Sequence, residues 1–146
     1  MRMRIRATVL LAVATLVLVS AAPAFGAIRI LRIEYNPPGP NTGTNRNVNK
    51  EFVILENRGS RRINFAGSRL RDRRPNRYLF DDAFSLGPGK RVRVHTGRGD
   101  DDRNDLYWGF DRYIWNDHGD AAILLSDTGN YRERCHYRGG DEFATC

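Results

Sequence analysis

Five arginines fall within the nine residues of "RLRDRRPNR" (69–77): Arg69, Arg71, Arg73, Arg74 and Arg77. Guanidinium groups at that density form a positive patch that attracts phosphates or carboxylates without reading a base sequence, and such binding weakens steeply with salt. Arg61 and Arg62 are close by in sequence. No aromatic side chains are interleaved to stack on bases; Tyr78 and Phe80 follow the run and suit the buried side of a strand. The partner such a patch implies is an anionic polymer, either extracellular DNA or an acidic polymer of the cell surface. The alternative is a solvated hairpin in an arginine-biased proteome, since Lys50 and Lys90 are the only lysines in the chain.

Other constellations invite other chemistry. In "DDDRND" (100–105), Asp100, Asp102 and Asn104 have the 1-3-5 oxygen spacing of a calcium loop, and Asp111 occupies the twelfth position. The glycine that such a loop needs at position six is Asp105 here, and position twelve prefers glutamate. His95, His118 and His136 have no ligand-spaced partner for zinc. Ser60, Ser68, Ser85 and Ser126 sit in turn or strand contexts rather than on a strand-to-helix elbow. No cofactor, small-molecule substrate or catalytic residue is implied. The string Gly139-Gly140-Asp141-Glu142-Phe143 spells the signature of diguanylate cyclases, but a phosphate-cradling Gly-Gly turn needs a neighbouring helix and a metal. The surrounding chain reads as strands, so these five residues are expected to form a turn with the two glycines at the bend.

The elements that must position these residues begin after an export signal. "MRMRIR" is basic, "ATVLLAVATLVLV" is a run of 13 apolar residues, and "SAAPAFGA" supplies small residues around a proline. This is the order of a secretory signal peptide, and the run is short of the roughly 20 residues that span a bilayer. Cleavage is expected after Ala24, with Gly26 as the alternative, leaving a secreted protein that does not span the membrane. Three of the 24 basic residues leave with the signal, so 21 face 17 acidic ones, a net of +4 rather than +7. Residues 25–146 are expected to form one domain with its core in 28–137 and a C-terminal loop in 138–146.

Almost nothing in that domain reads as helix. In "IRILRIEY" (28–35), Leu31, Ile33 and Tyr35 are expected on one side and Arg32 and Glu34 on the other. Residues 36–50 read as an irregular loop, "EFVILEN" (51–57) as a strand, and "GSRLRD" and "NRYLFD" as two short strands joined through "RRPN". "RVRVH" (91–95) alternates, 96–105 is a polar loop, and "LYWGFDRYIW" brings five aromatics that one small domain must mostly bury. "AAILLSD" (121–127) and "YRERCHY" (131–137) complete the strands. Many short strands separated by Gly, Pro, Asn and Asp predict an all-β sandwich. Cys135 and Cys146, an even count in an exported protein, are expected to form a disulfide, with two free thiols as the alternative.

"IRILRIEYNPPG", "KEFVILENRGSRRINFAGSRLRD", "FSLGPGKRVRVHTGRG", "LYWG" and "WNDHGDAAILLSDTGN" resemble, in this order and spacing, the lamin tail domain in its bacterial secreted form. The most specific pieces are Glu51-Phe52-Val53 with Asn57, Gly67 with Leu70, the turn Leu86-Gly87-Pro88-Gly89, and Trp115-Asn116 with Gly119-Asp120. The resemblance implies an immunoglobulin-like β-sandwich without catalytic activity that serves as an interaction module, nuclear members contacting DNA and proteins. Three functions remain open: a secreted binding module for an anionic partner or another protein, a structural surface or matrix protein acting by self-association, and a secreted hydrolase.

Overall fold

A computed structural model describes residues 27–146, so the expected signal peptide (1–24) lies outside the described residues. Eleven strands and one short helix follow in chain order: β1 (Ile28–Glu34), α1 (Asn45–Val48), β2 (Phe52–Asn57), β3 (Ile63–Asn64), β4 (Arg69–Arg71), β5 (Arg77–Leu79), β6 (Ser85–Leu86), β7 (Arg91–His95), β8 (Asp105–Tyr107), β9 (Asp120–Leu125), β10 (Tyr131–Tyr137) and β11 (Phe143–Thr145). One sheet has the order β11-β1-β2-β7-β8, the second β10-β9-β4-β5, and β3 pairs with β6 in a small ribbon. The two larger sheets enclose one core that includes Ile30, Val53, Leu55, Leu70, Phe80, Trp115 and Leu124. This is an immunoglobulin-like β-sandwich. Among the described residues no helix is long and apolar enough to cross a membrane.

Four features depart from simple alternation. A bulge between Ile30 and Arg32 shifts the register of β1, so Ile28, Ile30, Ile33 and Tyr35 enter the core and Leu31 is only half-buried. Glu34 is consequently buried, paired with Arg32 at 2.6 Å. Residues 36–50 are not wholly irregular, because Val48 on α1 is fully buried and anchors a single helical turn. The aromatic stretch is less enclosed than expected: Trp115 is buried, but Tyr107, Trp108, Phe110 and Tyr113 are half-buried. Its first residues form β8, which runs parallel to β7.

The fourth departure concerns the C-terminus, which ends in a strand rather than a loop. Gly139 and Gly140 bend the chain with φ of 82° and 96°, and β11 then pairs antiparallel with β1. The Asp141 amide donates to Tyr35 Oη at 2.9 Å, and the Glu142 carbonyl accepts from Asn36 at 2.9 Å. Phe143 lies beneath the Arg32 guanidinium, 3.4 Å from its ring centroid. The Gly-Gly-Asp-Glu-Phe string is therefore a bend and the start of an edge strand. Cys135 on β10 is disulfide-bonded to Cys146, with Cα atoms 5.8 Å apart. Since β10 and β11 belong to different sheets, the bond ties one layer of the sandwich to the other.

Asn57 performs the corresponding service at the end of β2. Its buried amide donates to the Arg61 carbonyl at 2.7 Å and to the Leu86 carbonyl at 2.8 Å, while Oδ1 accepts from Gly59 at 2.9 Å. Its own backbone bonds Lys90 and Gly89 across the turn before β7. Every hydrogen-bonding group of the residue is used, and two turns distant in sequence are held together.

Replacing Asn57 by Ala leaves buried polar groups unpaired and is expected to cost about 3 kcal/mol or more in a urea unfolding titration with an unchanged m-value. Asn57→Asp keeps the acceptor for Gly59 but turns a carboxylate toward two carbonyls, so it should be no better tolerated. Reduction of Cys135–Cys146 is expected to lower stability by roughly 3 kcal/mol on the loop-entropy model. Amide exchange at 143–145 should then accelerate ahead of exchange in β1 and β2.

Candidate functional site

The residues of the arginine run converge on the outer face of the four-stranded sheet. Leu70 and Tyr78 point into the core, so the two-residue strand period turns Arg69 and Arg71 on β4, and Arg77 and Leu79 on β5, to solvent. Register extends these positions across the sheet. One row runs Arg77, Arg71, Ile123, Arg134, and the next Leu79, Arg69, Leu125, Tyr131. Arg73 and Arg74 are exposed in the turn between β4 and β5. Ile123 is buried without belonging to the core, flanked in register by Arg71 and Arg134, whose aliphatic stems suit that cover. Arg61 and Arg62 precede β3 and lie outside these rows; Arg62 donates to Ser85 Oγ at 3.2 Å.

The turn that carries Arg73 and Arg74 is built from inside. Asp72 is buried and accepts from the Asn76 amide at 2.6 Å, and burial raises its pKa. Asp120 accepts from the backbone amides of Arg73 at 3.0 Å and Ala121 at 2.8 Å. The Arg73 guanidinium then reaches His136 at 2.5 Å, Arg71 donates to the Asp72 carbonyl at 3.0 Å, and Arg69 to the Asp127 carbonyl at 3.3 Å. None of these contacts neutralises the arginines. The ion-paired Arg29, Arg32, Arg58, Arg91, Arg93 and Arg98 lie elsewhere. Glu56 alone takes both Arg58 and Arg91, which holds its carboxyl below the usual range. The strand arginines of the five-stranded sheet thus have carboxylate partners, Arg29 drawing its own, Glu133, from β10 of the other sheet.

Arg134 was not part of the sequence-derived patch, being 57 positions beyond Arg77. The alternation in "YRERCHY" was the signal that could have found it: with Cys135 and Tyr137 inward, Arg134 and His136 must face out.

The aspartates of 100–111 have structural partners of their own. Asp102 Oδ1 accepts from the amides of Asn104 at 2.6 Å and Asp105 at 2.8 Å, which lowers its pKa. Asp101 accepts from the Tyr107 amide at 2.7 Å and the Tyr78 hydroxyl at 3.2 Å. The Asn104 carbonyl accepts from Arg93, and Asp111 pairs with Arg98 at 3.8 Å. Asp100 is exposed. Among the described residues no three His, Cys, Asp or Glu side chains are grouped to hold a metal ion. His95 sits between the Asn49 carbonyl and Asp105, both at 2.8 Å.

One buried acid was not singled out for its chemistry. Glu51 is fully buried and accepts from the Ile114 amide at 2.9 Å. Desolvation pushes its pKa up to about 8, against 4.5 for a free glutamate, and the Ile114 bond offsets only part of that rise. A perturbed carboxyl of this kind is found in active sites. Here it has no exposed surface and anchors the segment before Trp115. A pocket of about 160 Å³ lies nearby, lined by Tyr35, Asn36, Tyr113, Trp115 and Asp117.

The architecture defines a class: an immunoglobulin-like sandwich whose Asn and Asp side chains hold its turns. The model of the lamin tail domain family matches residues 21–139, and the chain belongs to that family. The family is one of non-enzymatic immunoglobulin-like domains. Comparison with curated proteins gave no match.

The folded protein keeps a proton on Glu51 that the unfolded chain releases between about pH 4.5 and 8. Its contribution is therefore fully present below that window and is lost as pH rises through it, with a slope of up to about 1.4 kcal/mol per pH unit. Glu51→Gln, which retains an acceptor for Ile114, should flatten this part of the stability profile measured by denaturant unfolding at successive pH values.

Proposed function

We propose that this protein is an exported, non-catalytic binding module that meets an anionic surface or polymer outside the cell through the arginine face of its four-stranded sheet. The observation that carries this reading is the contrast in charge pairing. The arginines on the strands of the five-stranded sheet, Arg29, Arg32, Arg91 and Arg93, each lie within 4 Å of a carboxylate, whereas Arg69, Arg71, Arg73, Arg74, Arg77 and Arg134 form no such ion pair. Exposed like charges held within a few ångströms repel one another, and an external polyanion relieves that repulsion while releasing its counterions. Export is supported by the signal-like N-terminus and by the disulfide, a bond that persists in oxidising compartments. The non-catalytic reading is supported by the family, whose domains are non-enzymatic.

The purified protein is expected to be retained on heparin and to bind duplex DNA at low salt. Arg71→Glu, Arg73→Glu and Arg74→Glu combined should abolish both in a variant that still unfolds cooperatively, though at a lower melting temperature. The slope of log affinity against log salt measures the number of phosphates neutralised and should be roughly −3 or steeper for the wild-type chain. Retention that the triple variant leaves intact would refute the assignment of this face.

A further inference from the structure

We infer that the anionic partner of this face is a lipid bilayer surface, with Leu79 and Tyr131 entering the interface while the surrounding arginines meet headgroup phosphates. This rests on the reading that the arginine face binds anions, and it adds a requirement that charge alone does not make. Three large apolar side chains are exposed among the described residues: Leu79 at 63%, Tyr131 at 63% and Phe143 at 38%. Phe143 is covered by the Arg32 guanidinium. The other two stand in the same register row of the arginine face, Leu79 on edge strand β5 and Tyr131 on edge strand β10, where a register shift between Tyr131 and Glu133 sets Tyr131 opposite Leu125. Three strand steps separate them, roughly 14 Å at about 4.8 Å per step. Between them lie Arg69 and the half-buried Leu125, and the adjacent row supplies Arg77, Arg71 and Arg134.

The outward positions of these four strands include no acidic residue; Asp81 and Asp127, two residues past Leu79 and Leu125, flank the rows. A face rich in arginine and apolar at two protruding points matches an interface that is negative at the phosphates and apolar a few ångströms deeper. A polyanionic sugar or nucleic acid pairs with the guanidinium groups but offers the aliphatic Leu79 nothing to pack against. A folded protein partner would have to supply a separate pocket for each protruding side chain. A bilayer accepts both without one, and arginine and tyrosine are suited to the headgroup level because each has an apolar body and a polar tip.

The test is vesicle co-sedimentation of the protein with equal parts phosphatidylglycerol and phosphatidylcholine, against pure phosphatidylcholine, with heparin retention measured in parallel. Binding to the anionic vesicles alone is expected. Leu79→Ser combined with Tyr131→Ser should weaken vesicle binding at least about tenfold, while heparin retention is unchanged. Both side chains are largely exposed, and an unchanged melting temperature will confirm that the double variant is folded. Heparin retention without vesicle binding, or vesicle binding indifferent to the double substitution, would overturn the lipid assignment and leave the anion-binding reading standing. Failure of both assays would remove both. Concentration-dependent dimerisation abolished by Leu79→Ser and Tyr131→Ser, without vesicle binding, would assign the face to a second copy of the chain instead.

Discussion

An extended strand sends successive side chains to opposite sides, and in the four-stranded sheet only one side has a core to fill. Leu70 on β4, Tyr78 on β5, Ala122 and Leu124 on β9, and Cys135 and Tyr137 on β10 all reach that core. Once they do, Arg69, Arg71, Arg77, Leu79, Ile123, Arg134 and His136 have no choice of side. The cationic face therefore follows from the packing of its opposite surface. It needs no cluster in sequence, which is why Arg134 joins residues more than fifty positions away. It also needs no strain, because no non-glycine residue among those described has a positive φ.

Strands of two to seven residues leave much of the backbone outside regular ladders. Buried backbone groups must nonetheless be paired, and here short polar side chains do it. Asn57 closes two turns at one end, Asp72 and Asp120 support the turn between β4 and β5, and Asp101 and Asp102 hold the loop before β8. Asn45 and Asn49 both donate to the Arg98 carbonyl, at 2.9 and 2.8 Å. The same Asn and Asp residues that resemble binding motifs in the sequence are thus occupied by their own chain. Glu51 is the extreme case, a carboxyl withdrawn from water that accepts from the Ile114 amide and whose pKa burial raises.

Much of this was legible in advance. The strands at 52–57, 91–95 and 131–137 follow from alternation or apolar runs, the hairpin of β4 and β5 from "RRPN", and the bend at Gly139 and Gly140 from the disulfide that brackets it. The positive φ of Gly119, 126°, agrees with its place before β9, where any Cβ would crowd the Tyr137 and Arg138 backbone. What escaped were features decided by distant partners. Leu31 has the period of a core residue, yet the bulge turns it aside and its carbonyl takes the Cys146 amide. β8 and β11 are three residues each, too short for any periodicity to reveal, and exist because β7 and β1 offer open edges.

From its sequence alone the protein is determined to be an all-β sandwich of the lamin tail type, with two cysteines and a dense arginine run. These are properties of neighbouring residues, because turn formers, strand period and charge density act over a few positions. Tertiary structure alone decided which arginines share a face, which are neutralised, and which apolar residues stand among them. Those outcomes depend on strand order and register, which join β5, β4, β9 and β10 across intervals that no local pattern spans.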